Sequence, residues 1–208
     1  MENFSLPSDF IRKMQLLLNS EWEDFKTCYE NNKYQALRFN PLKKGISPDI
    51  YPELLSKLSI PDRTPVPWAD HAYYYPDTAH PGKHPWHESG LYYIQEPSAM
   101  SAAALLAPEP GDRVLDLCAA PGGKSTQLAA YLNQTGLLVA NEIHSARCKI
   151  LSQNMERLGI SNAIVTNEDS FTLAARFPEY FDKILTDVPC SGEGMFRRDP
   201  AKSEAKRS

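Results

Sequence analysis

The sequence lacks several patterns that would assign it to common classes of protein. None of its four cysteines belongs to a C-x-x-C pair, so neither a zinc ribbon nor a disulfide framework is predicted. No apolar run approaches the roughly 20 residues that span a bilayer. The N-terminus has no basic region followed by an apolar stretch, as a secretory signal would have. We therefore expect a cytoplasmic protein with no membrane partner.

A strong excess of either charge is also missing. The formal net charge of the 208 residues is -4, which gives no global attraction to nucleic acid. The basic pairs Lys43–Lys44 and Arg197–Arg198 are candidates for phosphate contacts, although such clusters are usually solvated surface. Net charge therefore neither supports nor excludes an RNA substrate.

The first 95 residues predict a small α+β domain. A helical pattern runs from Pro7 to about Asn31. Three short strands are expected at Gln35–Phe39, Ala72–Tyr75 and Leu91–Ile94. A loop rich in proline and aromatics contains His80, His84 and His87, but no cysteine or carboxylate spacing completes a ligand set. We expect this loop to be structural and to bind no metal.

From residue 96 to residue 208 the pattern becomes a regular alternation of strands and helices. Four short apolar strands are predicted at Arg113–Cys118, Leu137–Glu142, Ala163–Thr166 and Asp182–Asp187. Helical segments separate them, as in a parallel sheet made of βαβ units. The predicted fold class is therefore α/β.

The first of these strands leads into a turn of small residues, Cys118-Ala119-Ala120-Pro121-Gly122-Gly123-Lys124. Glycine and alanine allow the backbone to approach a ligand closely, and the helix that follows presents free N–H groups. The turn is not an ATP-binding phosphate loop, because Cys118 stands where such a loop has its first glycine. It also lacks the G-x-G-x-x-G pattern of NAD-dependent dehydrogenases.

Acidic residues follow each of the next three strands. Glu142 is placed to accept hydrogen bonds from ribose hydroxyls, although an acidic residue before a helix can equally be a cap. Asp169 follows the third strand, where a carboxylate can accept from an adenine amino group. Asp187 ends the fourth strand and suits the positive end of a methionine-like moiety. Together these residues predict a nucleoside cofactor at the strand ends.

The residues after the fourth strand, Asp187-Val188-Pro189-Cys190, indicate the chemistry. Methyltransferases that act on amino nitrogens have an aromatic residue after the proline, whereas this chain has a cysteine. Carbon 5 of cytosine is a poor nucleophile, so enzymes that methylate it first add a thiolate to carbon 6. Cys190 beside a methyl donor therefore favours carbon methylation, while Cys118 is expected to line the cofactor pocket.

Four segments resemble the NOL1/NOP2/Sun family of RNA cytosine-5 methyltransferases, and within it the bacterial 16S ribosomal RNA enzymes. These segments are Arg38–Lys43, Gln95–Met100, Asp116–Ser125 and Asp187–Gly192. The resemblance implies a Rossmann-like methyltransferase fold and an RNA partner, 16S rRNA or the small ribosomal subunit. It also implies that S-adenosyl-L-methionine is held by positions matching Cys118 to Lys124, Glu142, Asp169 and Asp187.

The resemblance implies two catalytic cysteines. Cys190 matches the one that assists release of the enzyme from the methylated base, and the nucleophile belongs to a Thr-Cys motif after a fifth strand. No Thr-Cys pair follows Cys190, and the only such pair is Thr27-Cys28. We therefore expect this chain to be a fragment that binds cofactor without turnover. A tRNA cytosine-5 methyltransferase and a non-catalytic RNA- or cofactor-binding module remain the alternatives.

Overall fold

The structure, a computed structural model, describes residues 6–30 and 33–188. These residues fall into two compact units, one ending at Lys33 and the other comprising Tyr34–Val188. The second unit contains two separate sheets, one antiparallel and one parallel. Among the described helices, none is both long and apolar enough to cross a membrane.

The first unit is a pair of helices packed through aromatic side chains. Helix α1 (Ser8–Leu18) is followed by a 3-10 turn, Asn19–Glu21, and by helix α2 (Trp22–Glu30). The predicted helical segment is therefore confirmed, with an interruption where the backbone of Asn19 turns to a positive φ of 46°. Phe10 and Trp22 are buried in the small core between the helices.

The antiparallel sheet lies at the beginning of the second unit. Its elements, in chain order, are β1 (Gln35–Phe39), α3 (Tyr51–Lys57), β2 (Ala72–Tyr75), α4 (Pro85–Glu88) and β3 (Tyr92–Gln95). The strand order is β2-β1-β3, so β1 is central. The Phe39 ring stacks on the Tyr51 ring with 4.2 Å between centroids, which joins α3 to the sheet. The three predicted strands are confirmed.

The parallel sheet follows and confirms the predicted α/β class. Its elements are α5 (Ser101–Leu106), β4 (Arg113–Asp116), α6 (Gly123–Leu132), β5 (Leu137–Asn141), α7 (Ser145–Leu158), β6 (Ala163–Thr166), α8 (Ser170–Arg176) and β7 (Lys183–Leu185). The strand order is β6-β5-β4-β7. The direction of strand addition reverses between β4 and β7, and ligands of open α/β sheets bind at such a switch point.

Both faces of this sheet are covered by helices, which explains the apolar strands. Val114 and Leu138 point into a core shared with Leu128 of α6 and Leu151 of α7. The neighbouring strand residues Leu115 and Val139 point to the other face, where Leu173 of α8 covers them. Successive residues of β4 and β5 point to opposite faces of the sheet, and because both faces are covered, the residues on each face have to be apolar.

Three strands end earlier than the sequence predicted. β4 ends at Asp116 rather than Cys118, β5 ends at Asn141 rather than Glu142, and β7 ends at Leu185 rather than Asp187. The Ala119 N–H donates to the carbonyl of Asn141 at 2.8 Å, so the chain after β4 turns across the end of β5 instead of continuing the strand.

A close backbone contact joins the two sheets of the second unit. Gly90 precedes β3, and the Asn40 side-chain amide donates to its carbonyl at 3.1 Å and to that of Leu158 at 2.8 Å. A Cβ atom at Gly90 would lie 2.0 Å from the carbonyl oxygen of Arg157. The end of α7 therefore packs directly against the turn before β3.

We predict that Gly90→Ala destabilises the protein much more than Gly45→Ala. Both glycines have positive φ, 71° and 77°, so alanine costs about 1 kcal/mol of backbone strain at each. Nothing lies within 4 Å of a Cβ at Gly45, whereas Gly90→Ala adds a clash worth about 1–3 kcal/mol. Urea unfolding of both variants measures the difference, and equal losses would contradict the proposed packing.

Candidate functional site

The carboxyl ends of the four parallel strands meet at one side of the sheet. Asp116 is paired in register with Ala140 of β5 and with Leu185 of β7. Asn141 is paired with Thr166 of β6. Because the strands end in register, the segments that follow them are brought together, as the sequence predicted for the switch point.

The turn from Cys118 to Gly122 crosses this side and leads into α6. Its backbone is held from α7, since Arg147 Nη2 donates to the Ala120 carbonyl at 2.6 Å and Asn154 Nδ2 donates to the Pro121 carbonyl at 2.8 Å. Gly122 has a φ of 111°, a conformation that favours glycine. The first turn of α6 is thereby fixed with N–H groups that have no intrahelical partner.

Asp116 lies buried beneath this turn and was not among the predicted site residues. Ser125 Oγ donates to its Oδ2 at 2.6 Å, while Oδ1 has no hydrogen-bond partner among the described residues. Burial, and to a smaller extent the charge of Asp187, raise the pKa of Asp116 to about 6. The signal in the sequence was an acidic residue among the apolar residues of a predicted strand, shortly before the Gly-rich turn.

Glu142 is almost fully buried, with 2% of its surface exposed. Its Oε1 accepts a hydrogen bond from the His144 N–H at 3.0 Å. Its Oε2 lies 3.1 Å from Arg147 Nη1, which is close enough for an ion pair. The two groups are not oriented for a hydrogen bond, however, and Oε2 has no hydrogen-bond partner in the described part of the chain. One oxygen of this carboxylate therefore keeps unused hydrogen-bonding capacity within the fold.

Asn141 joins three of the strand ends and was missed by the sequence analysis. Its Nδ2 donates to the carbonyls of Leu117, at 3.2 Å, and Glu168, at 2.9 Å. Its Oδ1 accepts from the Glu168 N–H at 3.1 Å and from Thr166 Oγ1 at 2.8 Å. The loops after β4 and β6 are thus fixed to the end of β5 by one side chain.

Asp169 is the N-cap of α8. Its Oδ1 accepts from the N–H groups of Phe171 and Thr172, and its Oδ2 accepts from Thr172 Oγ1 at 2.7 Å. The Thr172 hydroxyl, together with these N–H groups, lowers the pKa of Asp169. The carboxylate is exposed and has a structural role as a cap. Its role toward adenine stays a prediction.

Asp187 and Lys124 form an ion pair across the switch point. Lys124 Nζ lies 2.6 Å from Asp187 Oδ2. Lys124 belongs to the first turn of α6, whereas Asp187 follows β7. Two of the predicted site residues, separated by more than 60 positions in the chain, are therefore brought into contact.

Cys118 lies among the carboxylates of this site. Burial, followed by the negative charges of Glu142, Asp116 and Asp187, raises the pKa of its thiol. A thiol that resists ionisation is a poor nucleophile at neutral pH. The structure therefore suits Cys118 to lining the pocket. Cys190 lies outside the described residues.

Two of the basic and histidine candidates, Lys43 and His84, have ordinary structural contacts. Lys43 Nζ donates to the Arg157 carbonyl at 3.3 Å, and His84 Nδ1 accepts from the Trp86 N–H at 3.2 Å. Within residues 6–30 and 33–188, no three His, Cys, Asp or Glu side chains are grouped as metal ligands. Arg197 and Arg198 lie outside the described ranges.

We predict that Asp116→Asn flattens the dependence of stability on pH. The unfolded aspartate has a pKa near 3.9 and the folded one about 6, so the folded chain binds more protons between these values. The free energy of unfolding therefore falls as pH rises from about 4 to 6. The part of this fall that is due to Asp116 amounts to about 3 kcal/mol. Urea unfolding at pH 4 and pH 7 measures this loss.

Asp182→Asn is the matched control. Arg113 lowers the pKa of Asp182, so this carboxylate stabilises the fold more as pH rises. Relative to the unmodified chain, Asp116→Asn should gain stability with pH and Asp182→Asn should lose it. If the free energies of unfolding of Asp116→Asn and of the unmodified chain changed in parallel with pH, ionisation of Asp116 would not destabilise the fold, and the prediction would be wrong.

Comparison with known proteins shows the relationship of the chain. Residues 103–207 match a family model described as 16S rRNA methyltransferase RsmB/F. Residues 6–97 match one described as the N-terminal domain of 16S rRNA methyltransferase RsmF. Both models together extend over most of the sequence.

Individual relatives agree with the family models. Ribosomal RNA small subunit methyltransferase F of Pectobacterium atrosepticum is 40% identical over 95% of this chain, and that of Vibrio parahaemolyticus is 38% identical over 95%. The chain spans 42% of the length of each. A solved methyltransferase homologue from Pyrococcus horikoshii has 32% identity and a TM-score of 0.74, covering 88% of this chain and 59% of its own. The chain therefore belongs to the RsmB/F family of 16S rRNA methyltransferases.

Proposed function

We propose that this chain forms the S-adenosyl-L-methionine-binding part of an enzyme that methylates carbon 5 of cytosine in 16S rRNA. The observation that carries the proposal is Oε2 of buried Glu142, which has no hydrogen-bond donor among the described residues and belongs to the residue after β5, close to the Gly-rich turn. A buried carboxylate oxygen without a hydrogen bond is costly to stability, so its retention favours a ligand with hydroxyl donors.

Each end of the cofactor has a suitable group at this site. Glu142 would accept hydrogen bonds from the ribose hydroxyls, and Asp169 would accept from the adenine amino group. The free N–H groups at the start of α6 would bind the carboxylate of the amino-acid end. Asp187 would bind the ammonium group at that same end, in place of Lys124 Nζ. The cofactor supplies the methyl group.

Lys124 and Arg147 place a cation beside each of the two carboxylates. Lys124 Nζ lies 2.6 Å from Asp187 Oδ2, and Arg147 Nη1 lies 3.1 Å from Glu142 Oε2. Carboxylate oxygens accept hydrogen bonds, which matches the hydroxyl donors of a ribose.

Cysteine chemistry supports cytosine as the base. Addition of a thiolate to carbon 6 makes carbon 5 nucleophilic enough to take a methyl group, after which loss of the carbon 5 proton and of the thiolate restores the ring. The raised pKa of the Cys118 thiol does not favour Cys118 as the nucleophile. Cys190 follows Asp187 by three residues and is assigned to release of the product.

The substrate and the domain boundary rest on the comparisons. The relatives are named as methyltransferases of the small-subunit ribosomal RNA, which supports 16S rRNA as the partner. The two family models meet between residues 97 and 103. This supports a boundary near residue 95, with an N-terminal domain at 1–95 and the methyltransferase domain at 96–208.

We predict that the chain binds S-adenosyl-L-methionine and that Glu142→Gln weakens binding about 10- to 100-fold. The substitution keeps the size of the side chain but removes the charge from hydrogen bonds that contribute about 1.5–3 kcal/mol. Isothermal titration calorimetry measures the dissociation constant. Glu156→Gln, an exposed substitution on α7, is the control and should leave binding unchanged.

Three outcomes of the titration would contradict this assignment. Absence of cofactor heat from the unmodified chain would favour an RNA-binding module without cofactor. Equal affinities for Glu142→Gln and the unmodified chain would exclude Glu142 as the ribose ligand. Equal losses for Glu142→Gln and Glu156→Gln would show that the effect is not specific to the site.

We predict that Cys190→Ala, in an enzyme that carries this chain together with a Thr-Cys nucleophile segment, traps a covalent complex with 16S rRNA. Without the residue that releases the base, the enzyme should accumulate as a slowly migrating band on a denaturing gel. Cys28→Ala, an exposed substitution on α2, should give no such band.

Bisulfite mapping of the RNA should show loss of one 5-methylcytosine in 16S rRNA when the gene is deleted. Loss from tRNA instead would overturn the substrate.

A further inference from the structure

Arg38 is a buried arginine of β1 that reaches from the antiparallel sheet to helix α6. Only 4% of its surface is exposed. Its Nη2 donates to the Gly123 carbonyl at 3.1 Å and to Thr126 Oγ1 at 2.8 Å. Its Nη1 donates to the side-chain oxygens of Gln95, at 2.5 Å, and Gln127, at 3.3 Å. Two of these four acceptors belong to the first turn of α6.

The charge of Arg38 has no carboxylate partner among the described residues. Its ring contact is with Tyr93, whose centroid lies 6.0 Å from the guanidinium carbon. Burial lowers the pKa of Arg38 to about 10, so the side chain is still a cation at neutral pH. The buried positive charge is therefore met only by hydrogen bonds to neutral acceptors, and burial of such a charge is unfavourable. Its retention calls for an explanation, and two of its acceptors lie in the first turn of α6.

The acceptors around Arg38 are themselves fixed. The Gln127 amide donates to the Met100 carbonyl at 3.0 Å, and the Gln95 amide donates to the Ala99 carbonyl at 3.2 Å. A Cβ at Gly123 would lie 3.1 Å from the Gln95 side chain, so little space is left for movement of the turn. The guanidinium is therefore held rigidly against the start of α6.

A fixed cation at this place has two effects. It holds the carbonyl of Gly123, and with it the orientation of the first-turn N–H groups. It also adds a positive charge to the positive end of the helix dipole, which strengthens attraction for an anion. Both effects act on the amino-acid end of a ligand and neither acts on Glu142, which follows a different strand.

We propose that Arg38 is a positioning residue that prepares the first turn of α6 to bind the carboxylate of the methyl donor. This inference rests on the proposed function and assigns to the antiparallel sheet a part in cofactor binding. Arg38 acts through the turn and does not itself touch the ligand.

The test compares two ligands that differ only at the amino-acid end. S-adenosylhomocysteine carries the carboxylate, and 5′-methylthioadenosine has the same nucleoside without it. For Arg38→Met we expect the dissociation constant of S-adenosylhomocysteine to rise about tenfold or more, and that of 5′-methylthioadenosine to change less than about twofold. Calorimetry measures both constants, and thermal unfolding confirms that each variant is folded.

Two further variants keep the test decisive. Arg113→Met removes an arginine at the opposite end of β4, where it pairs with Asp182, and should leave both constants unchanged. Thr126→Val removes one Arg38 acceptor with little change in volume, and it should show a smaller loss in the same direction. If Arg38→Met does not fold, the two dissociation constants of Thr126→Val test the proposal instead.

Equal losses for the two ligands would overturn the proposal, because they would indicate a general structural role. Unchanged binding of S-adenosylhomocysteine by Arg38→Met would overturn it as well. If the unmodified chain bound neither ligand, the proposed function would fail first. Binding by the unmodified chain with no ligand-specific effect at Arg38 would overturn this inference alone.

Discussion

Parallel pairing of β4 with β5 on one side and β7 on the other is the constraint on which the candidate site depends. Asp116 is in register with Ala140 and with Leu185, so three chain segments leave the sheet at the same level. Right-handed βαβ connections then leave a crevice where strand order reverses. A shift of one residue in this register would move each side chain of the shifted strand to the opposite face of the sheet.

Polar groups at this side of the sheet are buried at a cost that the surrounding fold offsets. Asp116 and Glu142 each keep one carboxylate oxygen without a hydrogen-bond partner among the described residues. Apolar packing on both faces of the sheet, and the four hydrogen bonds of Asn141, supply rigidity at the same place. Proteins that bind ligands commonly keep unsatisfied acceptors at a preorganised site, although these acceptors lower the stability of the fold.

Local patterns in the sequence were sufficient to predict the fold class and the order of strands and helices in the parallel sheet. The Gly-rich turn after β4 and the acids after β5, β6 and β7 are also short-range features, and their binding roles stay predictions. Partners distant in the chain were not predictable. Arg38 contacts residues 85–89 positions away, and its place in an alternating strand gave no sign of burial. The side-chain hydrogen bonds of Asn141 to other loops follow no sequence period, so the sequence does not reveal them.

The central claim is that one nucleoside cofactor lies across the ends of these strands. Its most direct test is a crystal structure of the chain grown with S-adenosylhomocysteine. The account predicts ribose hydroxyls within hydrogen-bond distance of Glu142 Oε2, and the ligand carboxylate at the first turn of α6. A ligand bound elsewhere, with Glu142 and Asp187 remote from it, would contradict the account.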